Sequence, residues 1–132
     1  MTTTKDIQDL LTYIEIEPLV DEPMLYHGFR LSVKRDLATG ALQGFIQKQS
    51  GDAFSNEALE IIEDMFHGGI QYQTEQKPYT YGFVCATLDD LIPCVERDRM
   101  NYNLPPSKGT YKDKDFVLST LQDCADNINR IE

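Results

Sequence analysis

Tryptophan is absent from this chain, cysteine occurs three times, and 12 basic residues face 22 acidic ones. Each scarcity excludes something. Cys85, Cys94 and Cys124 form an odd, widely spaced set, unlike the paired framework that staples a small secreted domain. Free thiols in a reducing compartment are therefore expected. The shortage of lysine and arginine leaves a formal net charge of -10. That argues against gripping nucleic acid through its phosphates, which needs a clustered positive face, and against docking on an anionic membrane. Long apolar runs are missing too: a stretch such as Gly82 to Ala86 is far too short to span a bilayer. The opening residues MTTTKDIQDLL lack the basic flank and apolar stretch of a secretory signal, so a cytoplasmic location is expected.

What is present suffices for a folded unit. Hydrophobic residues make up 41% and aromatics 10%, too many for a disordered chain. A length of 132 residues suits one domain, 1–132, with a single core. Thr3 and Asp6 have the spacing of a capping box, and Ile7, Leu10, Leu11 and Ile14 then mark the apolar face of a helix whose exit Pro18 and Pro23 bracket. From Leu25 the period becomes two. Leu25, His27, Phe29, Leu31 and Val33 are expected on one strand face, with Tyr26, Arg30, Ser32 and Lys34 on the other. Leu37 to Gly40 reads as a turn, and Ala41 to Lys48 as the returning strand, with Gly28 and Gly44 face to face.

Ser55 suits the N-cap of a second helix, with Ala58, Leu59, Ile61, Ile62, Met65 and Phe66 on a wide apolar stripe and Gly68-Gly69 as its stop. Ile70 to Thr74 and Tyr79 to Ala86 read as a second hairpin. A short helix is expected from Asp89 or Asp90, the latter as cap, with Pro93 in its first turn. A loop from Asn101 to Thr110 precedes a last helix from about Asp113, striped by Val117, Leu121, Cys124, Ile128 and Ile131. The order α-ββ-α-ββ-α-α predicts an α+β fold, a four-stranded antiparallel sheet covered by helices.

The motifs for chemistry are thin. No nucleophile elbow, phosphate-cradling loop or H-E-x-x-H is present. Cys85 ends an aromatic strand just before Asp89 and Asp90, whose charge opposes thiolate formation, so it reads as a core cysteine. His27, on the expected apolar face, has two readings: a hydrogen-bonded core histidine or a general base. His67 at a helix C-terminus reads as a cap. A metal site from His27, His67, Cys85 and Cys94 lacks any close ligand pair, so neither metal nor cofactor is expected.

Three surfaces remain. Glu57, Glu60 and Asp64 align at i, i+3 and i+7 as an acid ridge, a solvated face or a docking ridge for a basic protein. Tyr72, Tyr79, Tyr81, Phe83, Tyr102 and Tyr111 crowd the second hairpin and the following loop; Tyr79, Tyr81, Tyr102 and Tyr111 are the expected contact aromatics, the alternative being ordinary half-buried strand residues. Arg30, Lys34, Arg35 and Lys48 gather on the first hairpin, as edge decoration or a patch for an acidic partner or phosphate.

The expectation is a non-enzymatic protein-binding module, monomer or homodimer. Its forms would be an inhibitor, immunity or anti-defence protein, or a chaperone-like adaptor that masks a partner with a basic surface. In size, acidity and element order, and through no specific motif, the chain resembles small bacterial secretion chaperones, which are acidic dimers. The alternative is a small-molecule-binding domain or small enzyme with a pocket near His27 and Cys85.

Overall fold

The computed structural model describes residues 4–17 and 20–131, with side chains described for 5–17 and 23–131. The expected cap at Thr3 and the break at Pro18 lie outside the described residues. In chain order the elements are α1 (Thr4–Ile16), β1 (Val20–Tyr26), β2 (Phe29–Arg35) and β3 (Leu42–Lys48). They continue with α2 (Asn56–Met65), β4 (Tyr72–Gln73), β5 (Thr80–Val84), α3 (Pro93–Asn101) and α4 (Lys114–Ile131). The fold is α+β, and its sheet has five antiparallel strands in the order β1-β2-β3-β5-β4. Among the described residues no helix is long and apolar enough to cross a membrane.

The fifth strand is β1, and it corrects the expected count of four. A single strand through Leu25 to Val33 does not form, because the chain reverses at His27 and Gly28, with φ of 48° and 93°. Positive φ at both central residues is the requirement of a two-residue type I′ hairpin turn. Tyr26 consequently pairs with Phe29, and Leu25 with Arg30. This inverts two expected faces: Leu25 is 60% exposed beside Arg30, while Tyr26 turns inward and donates its hydroxyl to Asp126 at 3.0 Å. Pro23, which lacks an N–H for the ladder, falls where the β1–β2 register shifts between Val20 and Met24.

The other local expectations largely hold. Ser55 caps α2, its hydroxyl accepting the Ala58 N–H at 3.1 Å, and Asp113 does the same for α4 through the Phe116 N–H at 2.9 Å. α3 departs: it begins at Pro93 after Ile92, so Asp90 is not its cap. Gly44 faces Phe83 and Val33, not Gly28, whose carbonyl instead accepts the Gln49 N–H.

α2 and α4 cover one sheet face. Leu31, Val33, Ile46 and Phe83 from the strands meet Ala58 and Ile62 of α2 and Val117, Leu121, Cys124 and Ile128 of α4, all buried. Each fully buried aliphatic chain contributes about 1.5–3 kcal/mol relative to exposure. Ile131, the last of the expected stripe, is exposed at the helix end. A second cluster, Ile7, Leu11 and Ile14 with Leu91, Met100 and Tyr111, joins α1 to α3 and its flanking loops. Among the described residues the opposite sheet face carries no helix of this kind.

Candidate binding surfaces

Cys85 is buried at the end of β5, its N–H given to the Leu42 carbonyl at 2.9 Å. Burial, reinforced by Asp90, pushes its thiol up to about 12. Burial does the same to Cys124. Neither thiol has the depressed pKa of a nucleophile. His27 sits in the β1–β2 turn rather than on an apolar strand face. Its ring stacks on Tyr26 with centroids 4.1 Å apart, and Nδ1 lies 3.3 Å from Asp126 in open solvent. The depression it lines, with Gly28, Lys48, Ser50 and Asn129, does not reach Cys85. Cys94 is half-buried on α3, and among the described residues no group of three or more His, Cys, Asp or Glu is placed to hold a metal ion.

Three buried polar clusters escaped sequence reading because their members lie far apart in the chain. In the first, Asp90 is almost wholly buried and receives His67 Nε2 at 2.7 Å, the Thr87 N–H at 2.8 Å, the Thr87 hydroxyl at 3.0 Å and Lys112 Nζ at 3.4 Å. Burial alone would raise its carboxyl; the Thr87 N–H, His67 and the Thr87 hydroxyl outweigh that and hold it below the ordinary aspartate value. A nucleophilic triad needs its acid and its nucleophile on opposite imidazole nitrogens. Here Asp90 and the Thr87 hydroxyl, at 3.4 Å, share Nε2. The geometry makes a pin between the α2 exit, the β5 exit and the approach to α4.

The second cluster joins α1 to the sheet. Arg35 donates to Glu17 at 3.1 Å, to the Tyr111 hydroxyl at 2.6 Å and to the Ile14 and Gly40 carbonyls. Glu17 also accepts from the Tyr111 hydroxyl and the Lys114 N–H. Burial, together with the hydrogen bond to Glu17, pushes the Tyr111 phenol upward. The third is Glu96, fully buried on α3, which accepts from the Ser107 N–H and hydroxyl and so anchors the loop before β-bridge residue Thr110. These side chains are committed to holding elements together.

The residues expected at a partner surface divide. Glu57, Glu60 and Asp64 lie on the outer side of α2, and no described cation is paired with any of them. Their neighbour Glu63 is exposed but spends one oxygen on the Ile70 N–H at 2.8 Å. Tyr102, past the end of α3, is 77% exposed. Tyr79 is half-buried against the core, Tyr81 packs its ring edge-on to Phe54, and Tyr111 belongs to the Arg35 cluster. A strand tyrosine's face follows the register, and β5 turns Tyr81 and Phe83 toward the helices.

One further surface was legible in the sequence only as separate groups, the basic residues of the first hairpin and the aromatic Tyr72. Cross-strand partners share a face, so the rows Ser32–Phe45–Gly82–Tyr72, Arg30–Gln47–Thr80 and Lys34–Gln43–Val84 define the side of the sheet away from α2 and α4. Phe45 meets Tyr72 edge-to-face, centroids 5.3 Å apart, and lies over Gly82, where a Cβ would stand 2.6 Å from its ring. Lys34 leans over Phe45 with Nζ 5.8 Å from the centroid. Pro23, Ser32, Gln43 and Thr80 help enclose a shallow depression of ≈ 430 Å³. Of the first hairpin's expected basic group, Arg30 and Lys34 are here; Arg35 is drawn to Glu17, and Lys48 lies over Phe54. Comparison with protein-family models, with curated proteins and with solved structures finds no match for this chain.

Proposed function

We propose that this is a small acidic protein-binding module, without catalysis of its own, that masks a partner bearing a basic surface. It would act as an inhibitor, immunity or anti-defence protein, or as a chaperone-like adaptor. The observation that carries this reading is the α2 ridge: Glu57, Glu60 and Asp64, side by side on the outer face with no described cation beside them, in a chain of net charge -10. Carboxylates so placed steer a basic partner inward and add repulsion against acidic ones. The exposed side chains of Tyr102 and Leu104, beyond α3, offer apolar anchor area of the kind that slows dissociation. The non-catalytic part of the proposal is supported by the protonated, buried Cys85 thiol and by its separation from the solvent-facing His27.

The test is capture from a lysate of the source cell with wild type and with the triple variant Glu57→Lys, Glu60→Lys, Asp64→Lys. The variant is expected to melt within a few degrees of wild type, because all three side chains lie outside the core. Wild type should retain a protein that high salt releases and the variant does not bind. Equal retention by a folded variant removes the ridge from the mechanism.

A further inference from the structure

The uncovered sheet face has a chemistry opposite to that of α2. On the strands its described side chains include Arg30 and Lys34 and no carboxylate, within a protein of net charge -10. Arg30 makes no ion pair or hydrogen bond with a described side chain, and among the described residues the ammonium of Lys34 has only the Phe45 ring beneath it. Tyr72 is 50% exposed and Leu25 60%. An aromatic pair and an apolar side chain beside two cations that no described carboxylate neutralises are costly to leave in water and favourable to cover.

We infer that this face is a second docking surface, for an extended acidic protein segment. Arg30, Ser32 and Lys34 follow one another on the same side of β2, and Ser32 lies opposite Phe45. The two cations are therefore about 13 Å apart along the strand, with the Phe45 ring beside the midpoint. A segment running along β2 in extended conformation presents every second side chain to the sheet. An acid, an apolar residue and a second acid at i, i+2 and i+4 match Arg30, Phe45 and Lys34 in register. Gln43, Gln47 and Thr80 flank this line, and the Thr80 hydroxyl is 3.2 Å from the Gln47 side chain, so hydrogen-bonding groups sit where the segment's backbone would pass.

Charge complementarity decides for a protein segment over single-stranded nucleic acid. A polyanion carries a phosphate at every nucleotide and needs positive charge along its whole track. Here the sheet face carries two cations, with Lys48 lining a depression beside Arg30, a short positive track in a protein of net charge -10. Two carboxylates spaced to meet two cations satisfy the patch and stop. The surface lies on the far side of the sheet from α2, so it stands or falls independently of the acid ridge.

The probe is the fluorescently labelled peptide GSETFTESG, titrated with wild type and followed by backbone chemical shifts. Saturable binding is expected, with shifts centred on Ser32, Phe45 and Tyr72. The double variant Arg30→Glu, Lys34→Glu should weaken it about tenfold or more, and the charge-keeping variant Arg30→Lys, Lys34→Arg should retain it. Replacing both glutamates of the peptide by lysine, or moving them to adjacent positions, should abolish or sharply reduce binding. The inference is overturned by no saturation up to about 1 mM, by shifts that map to α2 or α4, or by equal affinity of the lysine or rearranged peptide. Tighter binding of a ten-nucleotide oligouridylate than of the peptide would overturn it in favour of nucleic acid. The mapping and the altered peptides use wild-type protein, so they decide the matter even where the double variant fails to fold.

Discussion

Asp90 shows what a single side chain settles here. Its carboxylate is enclosed by Thr87, His67 and Lys112, and an amide in its place removes the charge and sets an N–H donor where one of the two shared acceptor oxygens stood. Asp90→Asn is expected to lower stability near neutral pH by about 1–3 kcal/mol. It should also change the acid limb of the stability profile. The native carboxyl titrates below 3.8, so Asp90's contribution is complete above the ordinary aspartate range and is lost as pH falls through the lowered value. Urea unfolding of both proteins from about pH 7 to about pH 3 measures this, and curves that stay parallel at constant offset would contradict it. At this scale Cys85 was legible in the sequence, since an apolar alternating strand and nearby acids dictate a quiet thiol. His27 was not. Its direction depends on two positive φ angles, which no hydrophobic period encodes.

At the scale of elements, α2 and α4 followed from their stripes because a helix repeats its burial every 3.6 residues and the apolar positions obey it. The strand faces were harder. A period of two survives a hairpin turn only if the turn is recognised, and His27-Gly28 lacks the asparagine or aspartate that usually marks one. The contact between α4 and the sheet offers a sharp test. At Gly44 of β3 a Cβ would stand 2.7 Å from the Phe83 ring and 2.8 Å from Val117 Cγ1. Gly44→Ala is therefore expected to push α4 and β5 apart and to destabilise the protein by about 1–3 kcal/mol. The unfolding midpoint reports it; a midpoint equal to wild type would mean that helix and sheet yield without loss.

Across the whole molecule, polarity is divided by the sheet. The α2 ridge is acidic, whereas the far sheet face carries Arg30 and Lys34 around an aromatic pair. Such separation predicts kinetics. The Debye length falls from about 10 Å at 0.1 M salt to about 3 Å at 1 M, so steering of a basic partner to α2 should fade across that range. Its association rate is expected to drop about tenfold or more while dissociation changes little. Stopped-flow or surface binding at the two salt concentrations reads both rates, and a salt-independent association rate would remove electrostatic steering from the proposal.

Sequence alone determined the α+β class, the Ser55 cap, the buried stripes of α2 and α4, the inert cysteine of β5 and the acid ridge. All of these are set by neighbours within a few turns or pleats. Tertiary structure decided the sheet order that puts β5 between β3 and β4, the partnership of His67 with Asp90, the inward turn of Tyr81 and Tyr111, and which sheet face no described helix covers. Those outcomes depend on segments distant in the chain closing on one another. A buried polar group must find its partner wherever the fold brings one, and local periodicity carries no record of where that is.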